Sequence, residues 1–201
     1  MKIYILRHED KTMDTSFFSP LTHDGIKNSI ELIDILKEEE IDIVFSSPFI
    51  RTLQTVYPYC KENSIKINID YSISEIQNKN TVLENSYTLQ LPDYLKKKYN
   101  CSNYKSIILP NSYNYPEKIE DIDKRAKKFL HFLISNYNNY KNKNILIVSH
   151  IAICNVIGMI AYNKFTNSTE YTMDTNYPKG ALTEIFNKGK WVFNPINWEP
   201  E

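Results

Sequence analysis

Apolar residues recur along the chain in short runs, and four of these runs stop abruptly on polar side chains. Lys2-Ile3-Tyr4-Ile5-Leu6 runs into Arg7-His8-Glu9-Asp10, and Ile41-Asp42-Ile43-Val44-Phe45 runs into Ser46-Ser47-Pro48. Ile65 to Ile69 alternates apolar and polar positions ahead of Tyr71-Ser72-Ile73-Ser74-Glu75-Ile76, and Asn144-Ile145-Leu146-Ile147-Val148 ends in Ser149-His150. Runs so short, rich in Ile and aromatic residues, predict strands rather than helices. Helical spacing fills the intervals. Ile26, Ile30, Ile33 and Leu36 follow Thr22, a suitable N-cap. Ser47 as N-cap and Pro48 in the first helical position start a helix that runs to about Asn63, with Arg51 one turn in. Thr81 to Lys98, with Leu83, Leu89, Leu91 and Leu95, is read as a further helix. Pro116 and Glu117 open the most regular one, which puts Ile119, Ile122, Ala126, Phe129, Leu130 and Leu133 on one face. Ile151 to Tyr162 is apolar enough to be a buried helix. The chain closes on Ala181 to Phe186, then Asn187-Lys188-Gly189-Lys190, then Trp191-Val192-Phe193, a hairpin with Gly189 at its turn.

Strands alternating with helices make this an α/β chain with a mostly parallel sheet, and the hairpin adds an antiparallel edge. At 201 residues and 42% hydrophobic content, residues 1–201 are expected to form one domain. Residues from about 78 to 114 lack clear periodicity and are expected to be a variable excursion that covers the site and supplies substrate selectivity. The Lys96-Lys97-Lys98 run reads as a solvated face, Asn136 to Asn144 as a loop, and His131 as packed or solvated.

Charge narrows the partners. With 24 basic and 24 acidic side chains the net charge is zero, so a nucleic-acid partner is not expected. No run reaches the roughly 18 consecutive apolar residues of a membrane span, so a membrane partner is not expected either. Arg7 breaks the first apolar stretch too early for a signal peptide, and cytoplasmic residence follows as the expectation. Cys60, Cys101 and Cys154 lie too far apart for a zinc or disulfide framework and are expected to be reduced. Nothing in the pattern bears on oligomeric state.

Parallel strands present their carboxyl ends along one edge, where open α/β sheets bind ligands. Arg7, His8, Arg51, Glu75 and His150 all fall at that edge. Two guanidiniums, two imidazoles and a carboxyl suit phosphoryl transfer: arginines grip phosphate oxygens, an imidazole attacks phosphorus, and a carboxylic acid protonates the leaving oxygen. Cations already in place make a metal unnecessary, and no cofactor is implied.

Four ordered segments carry a resemblance. They are Leu6-Arg7-His8; Pro20-Leu21-Thr22 with Gly25; Ser46-Ser47-Pro48 with Arg51-Thr52 and Gln54-Thr55; and Val148-Ser149-His150. Ser74-Glu75 and Tyr115-Pro116-Glu117 with Arg125 add to them. In this set the chain resembles the histidine phosphatase superfamily, phosphatase branch. The resemblance implies a phosphoglycerate mutase-like fold, a three-layer α/β/α sandwich. It also implies a metal-independent phosphatase acting on a phosphorylated small molecule or phosphoprotein. His8 would be the nucleophile that forms a phosphohistidine, and Glu75 the acid and then the base. Arg7, Arg51, His150 and the backbone amide at Ile151 would hold the phosphoryl oxygens. Protonated His150 would serve best, so activity should weaken at alkaline pH. Glu9 and Ile151 stand where the family commonly has Gly, which leaves open a phospho-ligand binding or scaffolding protein with impaired turnover. A phosphoglycerate mutase is disfavoured, because Asp10, Lys11 and Asp14 replace the mutase-type continuation.

Overall fold

The computed structural model describes residues 1–14, 16–82, 89–167 and 177–200. In chain order the strands are β1 (Lys2–Arg7), β2 (Ile43–Ser46), β3 (Ile67–Ile69), β4 (Asn144–Ser149), β5 (Leu182–Asn187) and β6 (Lys190–Pro195). The helices are α1 (His23–Glu38), α2 (Ile50–Glu62), α3 (Asp93–Lys98), α4 (Ile119–Ser135), α5 (Tyr137–Tyr140) and α6 (Ile151–Thr166), with a 3-10 turn at Tyr71–Ile73. All six strands join one sheet in the order β3-β2-β4-β1-β5-β6. The first four run parallel, and β5 and β6 are antiparallel. β4 lies between β1 and β2, Leu6 facing Val148 and Val148 facing Ser46, so the ends that carry His8, Ser47 and His150 are side by side.

Period-two alternation decides which side chains go to which layer. Tyr4 and Leu6 of β1, Val44 of β2, and Leu146 and Val148 of β4 join one buried cluster with Leu32 and Leu36 of α1 and Leu53 and Val56 of α2. Their neighbours Ile3, Ile5, Phe45, Ile145 and Ile147 join a second cluster with Phe129 and Leu133 of α4 and Ile157 of α6. Strands buried on both faces explain why these runs are apolar almost throughout.

Several boundaries and faces differ from expectation. α1 buries Gly25, Ser29, Leu32 and Leu36, whereas Ile26 and Ile30 are exposed. Its rotation is fixed at its start, where the Thr22 side chain accepts from Gly25 N and a Cβ on Gly25 would lie 2.2 Å from Asp10 O. Only glycine permits that approach. α2 starts at Ile50 with Phe49 as N-cap, two residues beyond the expected Pro48. α4 starts at Ile119, and the Ile119 side chain is exposed rather than on the buried face. Of the helix expected over Thr81 to Lys98, the described residues are helical at α3, and the part at 83–88, including Leu83, lies outside the described residues. A single helical turn, α5, stands where Asn136 to Asn144 was expected to loop. The closing hairpin turns at Lys188-Gly189, both with positive φ, as expected. The three cysteines are free.

The excursion is largely structural where it is described. Val82, Leu89, Leu91, Leu95 and Tyr99 enter the first cluster. Ile67 N donates to Asn100 O and Ser102 N to Ile67 O, so the outer edge of β3 is covered rather than left open for pairing. None of the described helices is long and apolar enough to cross a membrane.

Candidate active site

Five side chains from four separate places meet at the carboxyl edge of the parallel strands. Arg7 and His8 leave β1, Arg51 occupies the first turn of α2, Glu75 follows the 3-10 turn after β3, and His150 is the N-cap of α6. His8, Arg51, Glu75 and His150 are all buried. His8 Nδ1 lies 2.7 Å from Glu9 O, which can only accept, so Nδ1 carries the proton and Nε2 the lone pair. Arg51 spans the centre. Its Nε donates to His8 Nε2 at 3.3 Å, one Nη to Ser16 O at 3.1 Å, and the other to Glu75 Oε2 at 3.5 Å. The guanidinium also lies over the Phe49 ring, 4.5 Å from its centroid. The His8 and His150 rings meet edge-on at 5.2 Å.

Ser47 Oγ lies 2.7 Å from His150 Nε2 and also accepts weakly from Phe49 N at 3.4 Å, leaving its own proton for the imidazole. The proton of a neutral His150 then sits on Nδ1, which is 3.4 Å from Glu75 Oε2 but has no hydrogen-bond partner. Arg7 donates from one Nη to Tyr177 O at 2.5 Å, and its buried Nε is likewise unpaired. Two unpaired buried donors on one edge, His150 Nδ1 and Arg7 Nε, beside the Arg51 guanidinium, form a receptor for an anion. Donor atoms of His8, Glu75 and His150 also lie within 4.8 Å of one another, a set that could ligate a metal. Arg51 Nε already donates to His8 Nε2, and one of its Nη atoms faces Glu75 Oε2.

Burial and neighbouring cations govern the titrations. Burial first, then Arg51, pulls the His8 imidazole down to about 3, so the ring is neutral at physiological pH and Nε2 keeps a lone pair, which accepts from Arg51 Nε. Burial, then Arg51, likewise holds His150 well below its ordinary value. In the ligand-free site burial and the neighbouring guanidiniums favour a neutral His150 that offers an N–H. Burial pushes the Glu75 carboxyl up, against the downward pull of Arg51.

The residues at the two usual glycine positions turn out of this cluster. The Glu9 carboxylate receives Asn28 Nδ2 at 3.3 Å and fills the notch at Gly180, where a Cβ would lie 2.0 Å from Glu9 Oε1. The Glu9 backbone N–H donates to Thr55 Oγ1 at 3.0 Å. Ile151 packs its side chain against the second core cluster, leaving its backbone at the start of α6.

A family model for the histidine phosphatase superfamily (branch 1) matches residues 4–197. The chain belongs to this superfamily. Solved structures share the histidine phosphatase fold at low identity. They include the ecdysone phosphate phosphatase of Bombix mori in complex with tungstate (TM-score 0.71, 14% identity, 98% of this chain and 92% of the other). The alpha-ribazole phosphatase of Shigella flexneri gives a TM-score of 0.67 at 20% identity, covering 98% of this chain and 96% of the other. A mycobacterial glucosyl-3-phosphoglycerate phosphatase in complex with VO3 gives 0.70 at 11% identity, with coverage of 98% and 99%. No curated protein sequence matches the chain.

Three site residues escaped the sequence reading in these roles. Ser47 was assigned to helix capping, yet it bonds an imidazole 103 positions away. Thr55 fixes the backbone beside His8. Arg125 was noted only as part of a segment, yet it bonds the carbonyls of Ser72, Ser74 and Glu75. The eight-residue spacing from Glu117 to Arg125 was the one available signal for that last pair.

Proposed function

We propose that this histidine phosphatase superfamily member is a metal-independent phosphatase that hydrolyses a phosphomonoester through a phosphohistidine on His8. The observation that carries the proposal is the neutral, tautomer-fixed His8: Nδ1 is committed to Glu9 O, and Nε2 faces the cations. Nε2 attacks phosphorus while the ester oxygen leaves with its bonding electron pair and takes a proton from the Glu75 carboxyl. In the second step Glu75, now a carboxylate, removes a proton from water, water oxygen bonds phosphorus, and the P–N bond breaks. Arg7, Arg51, the His150 Nδ1–H and the amide at Ile151 hold the three phosphoryl oxygens throughout. Phosphatases that share this fold form complexes with tungstate and VO3, oxyanions that resemble phosphate, which supports a phosphoryl ligand.

The substrate belongs to the phosphorylated small molecules or phosphoproteins, with selectivity supplied from residues 78–114 and cytoplasmic residence proposed. Glu9 does not impair turnover in this scheme, because its carboxylate is turned to Asn28 and Gly180.

Glu75 sets a pH limb. Burial raises its pKa, so the acid form persists above the ordinary carboxylate range and is lost as pH rises through the raised value. For an alkyl phosphate, whose poor leaving group needs that proton, phosphoenzyme formation falls with rising pH. Single-turnover rates across pH should show this fall in the parent and a flat profile in Glu75→Gln. A parent profile that rises through neutrality would remove Glu75 as the acid.

A further inference from the structure

Arg125 lies on α4, outside the anion-facing cluster, yet its guanidinium is buried and fully engaged. Its Nε and one Nη reach the two Glu117 oxygens at 2.9 and 3.0 Å. The other Nη donates to Ser72 O at 2.8 Å and Ser74 O at 2.7 Å, and a further N–H reaches Glu75 O at 3.1 Å. Glu117 closes the ring from the far side: its Oε2 accepts from Gln77 N at 2.8 Å, and its own N donates to Gln77 O at 2.7 Å. The Gln77 side chain folds back to Glu75 O at 2.5 Å. Three carbonyls within four residues thus turn toward one guanidinium, with Glu75 among them.

We propose that Arg125, paired with Glu117 and assisted by Gln77, is a positioning unit that holds the Glu75 carboxyl in place for proton transfer at the reaction centre. The inference rests on the acid role given to Glu75 above. A loop so short has few ways to aim a carboxyl inward, and without the clamp its carbonyls would need other donors in a buried place. Fixing the backbone on both sides of Glu75 restricts the carboxyl to the space between Arg51 and His150, at 3.5 and 3.4 Å. Arg125 also contributes charge. It favours the ionised form of Glu75, as do Arg51 from α2 and Arg7 from β1. Lys11 and Cys154 also lie within electrostatic reach of this carboxyl.

Proton transfer to a leaving group matters most when that group is a poor one. The test therefore compares an alkyl phosphate with p-nitrophenyl phosphate in Arg125→Met, Glu117→Gln and Gln77→Ala, using Glu75→Gln as reference. Read as the single-turnover rate of phosphoenzyme formation, which precedes the water-activation step common to both substrates, Arg125→Met and Glu117→Gln should lose at least about tenfold more on the alkyl phosphate than on p-nitrophenyl phosphate. In Arg125→Met the alkaline limb should also move to higher pH, because a cation that favoured the Glu75 carboxylate is gone. Gln77→Ala keeps both charges and should show the same split at roughly threefold. It decides the matter if near-UV circular dichroism shows that either charge variant is unfolded. Equal losses on both substrates in folded variants, or an unmoved limb, would overturn the clamp while leaving Glu75 as the acid. If Glu75→Gln itself treats the two substrates alike, the acid role fails and the clamp with it.

Discussion

His8→Ala should abolish hydrolysis of p-nitrophenyl phosphate in the presence of a chelator, with a loss of at least about 10⁴-fold, as removal of a covalent nucleophile produces elsewhere. The size follows from the chemistry. Alanine removes the lone pair that attacks phosphorus, and neither His150, whose Nε2 is bonded to Ser47, nor Glu75 is placed to substitute for it. The fold should survive, since His8 contributes one ring to an edge-on pair, one hydrogen bond to a neighbouring carbonyl and one accepted from Arg51 Nε. A folded His8→Ala protein that keeps parent-level turnover would refute nucleophilic catalysis by His8. It would also reopen the alternative of a binding protein with contaminating activity.

Arg51→Met should be the second most damaging change, lowering kcat by about 10²- to 10³-fold, the usual consequence of removing a preorganised donor from a transition state. Arg51 makes contact with His8, Glu75 and Ser16 O at once, and only a planar fork can do so. Arg51→Lys should therefore recover little, because a single ammonium cannot span the same three partners. Loss of the cation also leaves Glu75 buried with less support for its carboxylate, so Glu75 stays protonated to higher pH. Water activation in the second step should then suffer more than attack in the first. Pre-steady-state kinetics would show this as a burst followed by slow release. A mutant that loses only affinity for inorganic phosphate, with kcat intact, would make Arg51 a ground-state contact alone.

The part of this site that could be read from the sequence is the part set by local structure. His8, Glu75 and His150 each follow a strand, and Arg51 follows a strand by one helical turn. Once the sheet is parallel, those ends share an edge by geometry. The supporting contacts depend instead on pairings across the chain. Ser47 reaches His150 and Arg125 reaches the Glu75 loop only because β2 pairs with β4 and α4 packs on the 3-10 turn. Periodicity also has no absolute phase. In α1 the stripe through Ile26 and Ile30 and the stripe through Gly25, Ser29, Leu32 and Leu36 both fit helical spacing. The close approach of Gly25 to Asp10 selects the second. Glu9 is the opposite lesson: its place at a common glycine position left impaired turnover open, but the missing Cβ of Gly180 provides room for its carboxylate elsewhere.

The central claim is a phosphorus–nitrogen bond on His8. Rapid acid-free quenching of Glu75→Gln during turnover of p-nitrophenyl phosphate, followed by peptide mass spectrometry, tests it most directly. Glu75→Gln still accepts phosphate from a good leaving group but cannot activate water, so an acid-labile, alkali-stable phosphate should accumulate on His8, and none should appear when His8→Ala is added. An unphosphorylated His8 in a Glu75→Gln enzyme that releases a full equivalent of nitrophenol would contradict the account.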